Sequence, residues 1–156
     1  MRKICIFASH YFPYLGGIER YTYNLSKALM ALGDEVLVVT NNDVKEKSFE
    51  VMDGIGVLRL PCFNVMGGRY PVTKPDKAFR NHLKKLWEKE FDLVLINARF
   101  YPHTLLGAWF AKKKGIRCVI LDHGTSHMTV GRKLPDLAFA AVEHVITWGD
   151  KWLCKE

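Results

Sequence analysis

Lys3-Ile-Cys-Ile-Phe-Ala8, Ser9-His-Tyr-Phe-Pro-Tyr-Leu-Gly-Gly17, the segment Ile18 to Gly33 and Glu35-Val-Leu-Val-Val-Thr40 follow one another without interruption, apart from Asp34 before the last. Ile4 to Ala8 is a continuous apolar run, the pattern of a strand covered on both faces. It ends in a loop that carries Pro13, Gly16 and Gly17. Ile18, Tyr21, Leu25, Ala28, Leu29 and Leu32 then recur at helical spacing, which predicts a helix with these residues on its apolar stripe. Gly33 is the residue that stops such a helix. Glu35 to Thr40 predicts a second buried strand. Strand, glycine loop, helix, strand is a parallel βαβ unit.

The rest of the chain extends the pattern. Asp53-Gly54 predicts the turn of a hairpin over Phe49 to Pro61. Pro61 to Pro75 holds Gly67, Gly68 and Pro71 and reads as a long loop. Asp76 to Glu90 predicts a helix with Phe79, Leu83, Leu86, Trp87 and Phe91 making its apolar stripe, and Asp92 to Ile96 a buried strand. Leu105 to Lys114 predicts a helix closed by Gly115, and Arg117 to Leu121 a strand that runs into the loop Asp122 to His127. Leu134 to Glu143 reads as helix, His144 to Thr147 as a short strand, and Lys151 to Glu156 as the start of a helix. This alternation predicts a doubly wound, mostly parallel Rossmann-like α/β sheet, with ligands at the carboxyl ends of its strands.

Composition agrees with one domain over residues 1–156. The chain is 49% hydrophobic and 25% charged, which excludes a disordered, collagen-like or coiled-coil chain. No apolar run approaches the roughly 18 residues of a membrane span or the roughly 7–15 of a signal peptide, so a cytoplasmic location is expected. Cys5, Cys62, Cys118 and Cys154 form no C-x-x-C pair, so the cysteines suggest neither a zinc nor a redox site. The net charge of +7 is uneven. Residues 1–73 hold eight bases against seven acids, and residues 74–156 fifteen against nine, so the excess of the second half points to an anionic partner.

Several residues stand where chemistry is expected. Gly16 and Gly17, between strand and helix, suit either a plain tight turn or a phosphate held at a helix N-terminus. Neither G-x-G-x-x-G nor a P-loop is present, which argues against nicotinamide dehydrogenases and P-loop NTPases. His123 follows a strand directly and is placed to donate to a substrate hydroxyl or share a proton. His10 and His103 also follow strands, and with Tyr14 and Arg99 they are expected to line the same cleft. His127 lies four residues past His123 with no convincing third ligand, so no metal site is expected. Lys77, Arg80, Lys84, Lys85 and Lys89 lie around one helix with Trp87, near Arg69 and Tyr70. That surface suits either a plain solvated helix laid on the core or a face resting on anionic lipid headgroups. No nucleic-acid module accompanies the charge.

These residues together resemble the N-terminal domain of family 4 glycosyltransferases, which have the GT-B fold. The likeness rests on Phe12-Pro-Tyr-Leu-Gly-Gly-Ile-Glu-Arg-Tyr-Thr-Tyr-Asn-Leu-Ser-Lys-Ala-Leu29, Gly33-Asp-Glu-Val-Leu-Val-Val-Thr40, Phe91-Asp-Leu-Val-Leu-Ile96, Ile120-Leu-Asp-His-Gly-Thr-Ser126 and His144-Val-Ile-Thr147, in that order. The resemblance implies a retaining transferase that moves a sugar from a nucleotide-sugar donor to a glycan or lipid-linked acceptor, in polysaccharide or glycolipid synthesis. It implies that Gly16 and Gly17 face the donor diphosphate and the acceptor. His123 would sit beside the transferred sugar as the catalytic residue, with Gly124, Thr125 and Ser126 as cleft neighbours. It implies no tightly bound cofactor and no catalytic metal. It also implies a basic helix over residues 77–89 that rests on the inner face of a membrane. A GT-B enzyme has a second, donor-binding domain with a Glu-x7-Glu pair, absent from this chain, so the chain alone is expected to be inactive. Asn97 stands where many relatives have histidine. Alternatives are a non-catalytic membrane- or glycan-binding module and half of a sugar-nucleotide epimerase.

Overall fold

The computed structural model describes residues 1–123 and 133–153. The described elements are β1 (Lys3–Ala8), α1 (Gly17–Ala31), β2 (Glu35–Asn41), β3 (Phe49–Met52), β4 (Ile55–Leu60), β5 (Cys62–Val65), β6 (Tyr70–Thr73), α2 (Lys77–Trp87), β7 (Leu93–Asn97), α3 (Pro102–Lys114), β8 (Cys118–Leu121) and α4 (Lys133–Leu153). The main sheet has the order β3-β4-β2-β1-β7-β8. All its pairs are parallel except β3 with β4. The doubly wound Rossmann-like sheet expected from the alternation is therefore the observed fold. The chain builds outward from β1 through β2 to β4, then returns to pair β7 on the other edge of β1. That reversal opens a crevice at the carboxyl ends of β1 and β7.

Alternation along β1 divides the core. Ile4 and Ile6 pack with Val36, Val38 and Leu95, against Leu25, Leu29 and Met30 of α1. Cys5 and Phe7 face the opposite layer with Phe110, Leu86 and Trp87 of α2 and α3. Phe7 and Phe110 meet at 5.8 Å between ring centroids.

The ends of the helices follow local chemistry. α1 closes with a Schellman motif: Asp34 N–H donates to Leu29 O at 3.1 Å and Gly33 N–H to Met30 O at 2.9 Å. Gly33 has φ 88°, which only glycine adopts at no cost. Asp76 caps α2 by accepting from Phe79 N–H at 2.9 Å. α3 starts with Pro102 and closes on Gly115.

Three expectations are corrected. The segment Pro61 to Pro75 is not an open loop: β5 and β6 form a second hairpin, in which Asn64 opposes Pro71. Proline is tolerated in this isolated two-stranded ribbon because each strand has an unpaired edge. His144 to Thr147 is not a strand but lies inside α4. The helical spacing of Glu143 and Ile146, both buried, outweighs the strand propensity of the short β-branched run. The buried ridge of α1 is also rotated from the predicted stripe. Tyr21 and Leu32 are exposed, and the fully covered residues are Glu19, Thr22 and Ser26. Thr22 Oγ1 donates to Ile18 O at 2.8 Å and Ser26 Oγ to Thr22 O at 2.7 Å. Each hydroxyl is satisfied within its own helix, so the small side chains pass under the sheet as if apolar.

At Gly107 of α3 the helix passes close over Phe7 of β1. A Cβ there would lie 2.8 Å from Phe7 Cγ and 3.0 Å from Phe7 Cβ. Alanine would favour the helix by about 1 kcal/mol, but overpacking costs about 1–3 kcal/mol. Gly107→Ala is expected to destabilise the domain in urea unfolding, and a midpoint at or above the parent's would refute this account of the packing.

Candidate active site

The segment 9–16, the first turns of α1, the end of β7 and Asp122 and His123 after β8 come together at the carboxyl ends of β1 and β7. Gly16 is the N-cap of α1, in extended conformation, with no side-chain cap. The two glycines differ in their surroundings. A Cβ on Gly16 would lie 2.3 Å from Glu19 Oε2, because the buried Glu19 side chain folds back over it. Among the described residues nothing lies within 4 Å of a Cβ at Gly17. Gly16 thus accommodates Glu19, and Gly17 is the open position at the positive end of the helix.

His123 stands at the mouth of the crevice. Its ring meets Tyr21 edge-on at 4.6 Å, one turn into α1. Its Nε2 is in hydrogen-bond contact with Asn97 Oδ1 at the end of β7. Asn97 Nδ2 in turn donates to Thr22 Oγ1. His123 is exposed, whereas Asn97 and Thr22 are buried. After Asn97 the chain turns sharply at Ala98, whose φ of 71° is strained for a residue with a Cβ. The turn sends Arg99 to the Asp122 carboxylate, at 3.3 Å. Gly124, Thr125 and Ser126 lie outside the described residues.

His10 and His103 are expected along the same cleft, but both are covered. His10 is 3% exposed. Its Nδ1 faces Asp43 Oδ2 at 2.5 Å and its Nε2 faces Arg69 O at 3.3 Å. Tyr14 stacks on its ring at 4.5 Å and Tyr101 meets it edge-on at 5.5 Å. Burial and the nearby Glu19 carboxylate push the Tyr101 hydroxyl up to about 12. His103 is deeper still. Its Nε2 donates to Val39 O at 3.0 Å, and Thr73 Oγ1 lies 3.3 Å from its Nδ1. Thr73 Oγ1 also donates to Asn41 Oδ1 at 2.8 Å, and Asn41 Nδ2 to Ser9 O at 3.1 Å. This network ties β6 to the ends of β1 and β2. Burial lowers the His103 imidazole from 6.5 to about 4, so the ring is neutral near pH 7.

Sequence reasoning missed Thr22, Tyr21, Glu19 and Asp43. The available signals were a buried polar ridge on α1 and a lone aspartate after a strand, neither specific by itself. Among the described residues no group of three His, Cys, Asp or Glu is arranged to hold a metal. None of the described helices is long and apolar enough to cross a membrane.

The basic residues expected at the surface are there. Lys77, Arg80, Lys84, Lys85 and Lys89 are exposed, and Arg69 is exposed on the turn of the β5–β6 hairpin. Trp87 is half-buried and packs 5.4 Å from Trp109. Leu83, Trp87 and Trp109 floor an open groove of about 500 Å³ between α2 and α3, rimmed by Arg80, Lys84, Lys113 and Glu88.

Comparison with known proteins gives the geometry a context. The family model described as Glycosyltransferase Family 4 matches residues 15–155. An uncharacterized glycosyltransferase of Methanocaldococcus jannaschii is 30% identical over 129 residues, covering 80% of this chain and 33% of that protein. The alpha-monoglucosyldiacylglycerol synthase of Acholeplasma laidlawii is 32% identical over 127 residues, covering 78% of this chain and 29% of that enzyme. The chain therefore spans about a third of the length of these relatives. Among solved structures, sucrose-phosphate synthase from Thermosynechococcus elongatus superposes with a TM-score of 0.53 at 18% identity, over 91% of this chain and 40% of that one, a likeness of fold.

The His103 network makes stability depend on pH. The folded-state value of about 4 is below the ordinary 6.5, so the unfolded chain binds the extra proton between them. The contribution is complete above pH 6.5 and is lost as pH falls towards 4, on the order of 3 kcal/mol in all. His103→Gln is expected to flatten this acid limb in urea unfolding at pH 7.5 and 4.5. An equally steep loss in the variant would remove His103 as the cause.

Proposed function

This chain belongs to glycosyltransferase family 4, and from that membership we propose that it is the N-terminal, acceptor-side domain of a retaining enzyme that transfers a sugar from a nucleotide-sugar donor to a glycan or lipid-linked acceptor. A second, donor-binding domain completes the cleft in the whole protein. The supporting observation is the contact of His123 with Tyr21, one turn from Gly16 and Gly17, because it brings a histidine and the open amino end of a helix to one crevice. In this reading the free amides near Gly17 meet the donor diphosphate and stabilise the charge that develops as it leaves. His123 accepts from or donates to a hydroxyl of the transferred sugar. The donor is a co-substrate, not a resident cofactor.

In the full-length protein His123→Ala is expected to reduce sugar transfer severely, about 100-fold or more, measured as release of nucleoside diphosphate. Near-normal turnover would sink this assignment.

A second reading, favoured by the groove between α2 and α3, is that this face rests on anionic membrane. Cations around a floor of tryptophan suit the headgroup region, where charge and apolar contact act together. The chain is expected to sediment with liposomes containing phosphatidylserine or phosphatidylinositol and to lose that binding when Lys84, Lys85 and Lys89 are replaced by glutamine. Binding unchanged both when the anionic lipid is left out and when the three lysines are replaced would exclude this surface.

A further inference from the structure

Thr22, Asn97 and His123 come from α1, the end of β7 and the segment after β8, and they form one line of hydrogen bonds. The direction of the line follows from its buried end. Ile18 O only accepts, and Thr22 Oγ1 reaches it at 2.8 Å, which engages the single hydroxyl hydrogen. Towards Asn97, Thr22 Oγ1 is then an acceptor, so the Asn97 NH2 group turns to Thr22 and its carbonyl oxygen faces His123. A carbonyl oxygen only accepts, so His123 meets it with Nε2–H, and the lone pair of the neutral ring is on Nδ1. Thr22 is 0% and Asn97 1% exposed, so water does not compete for the bond between them.

We infer that Thr22 and Asn97 are positioning residues that set the tautomer of His123, so that Nδ1 is presented to substrate as an acceptor for a sugar hydroxyl. The substrate half of this statement rests on the reading of His123 given above. The tautomer half stands on the geometry alone. The line also explains why an amide serves at position 97. Its two ends differ, so a hydroxyl on one side dictates what the histidine meets on the other.

The test is side-chain nitrogen NMR on the 15N-labelled chain, with His123 assigned by the signals lost in His123→Gln. The expected spectrum shows a protonated Nε2, a bare Nδ1 and an Nε2 proton slow enough in exchange to be seen. Thr22→Val removes the hydroxyl at nearly constant volume and frees the amide to turn, so that proton signal is expected to be lost. Thr22→Ser is expected to restore it. An Nδ1–H tautomer in the parent, or an unchanged Nε2–H signal in a folded Thr22→Val variant, overturns the inference. Should Thr22→Val fail to fold, Asn97→Leu gives the same readout, since it removes the acceptor outright. If the parent shows the expected tautomer while His123→Ala of the full-length protein still transfers sugar, the substrate half falls and the positioning of His123 stands.

Discussion

Ile4 and Ile6 face α1 while Cys5 and Phe7 face α2 and α3, and the backbone of the same residues pairs with β2 on one edge and with β7 on the other. A strand in that position has no free surface. The side chains of β1 must suit two layers at once, and its register must suit two neighbours. A slip of one residue would send each side chain to the wrong layer. The rest of the domain is arranged around that constraint. Gly107 is a glycine because Phe7 already fills the space beneath α3. The crevice opens at the carboxyl end of β1 because the chain leaves the strand in one direction and returns to its other edge.

The polar residues at that end fall into two groups. His103, Thr73, Asn41 and Ser9 are buried or half-buried and bonded to one another, and His10 is covered by Tyr14 and Tyr101. These hold the connections in place. His123 is the exposed histidine of this region, and its ring is fixed from behind by an amide and a hydroxyl that solvent does not reach. Histidines that look alike in the sequence are thus separated by burial: His10 and His103 are part of the scaffold, and the His123 ring is open to solvent.

The opening βαβ unit, the Asp53-Gly54 turn and the caps at Gly33 and Gly115 were legible in the sequence because each rests on nearby residues. The turn, for instance, puts Asp53 at φ 51° and Gly54 at φ 87°, which short polar and glycine residues tolerate. The hairpin over residues 62–73 was hidden by Pro71 and its adjoining glycines. The face of α1 was misjudged because Thr22 and Ser26 satisfy their hydroxyls within the helix, an effect that hydrophobic spacing does not register. The place of His123 just after a strand was legible in the sequence. Its support was not, since Thr22 and Asn97 are 75 residues apart and meet only through the packing of α1 on the sheet.

The surroundings of His10 have a mechanical consequence. Its ring touches Tyr14 in its own loop, Asp43 after β2, the Arg69 carbonyl on the hairpin and Tyr101 before α3. Four connections share one imidazole, so none of them opens without disturbing the others. Their local unfolding is therefore coupled into one cooperative unit. Joined through one ring, these four connections are expected to open together and not one at a time.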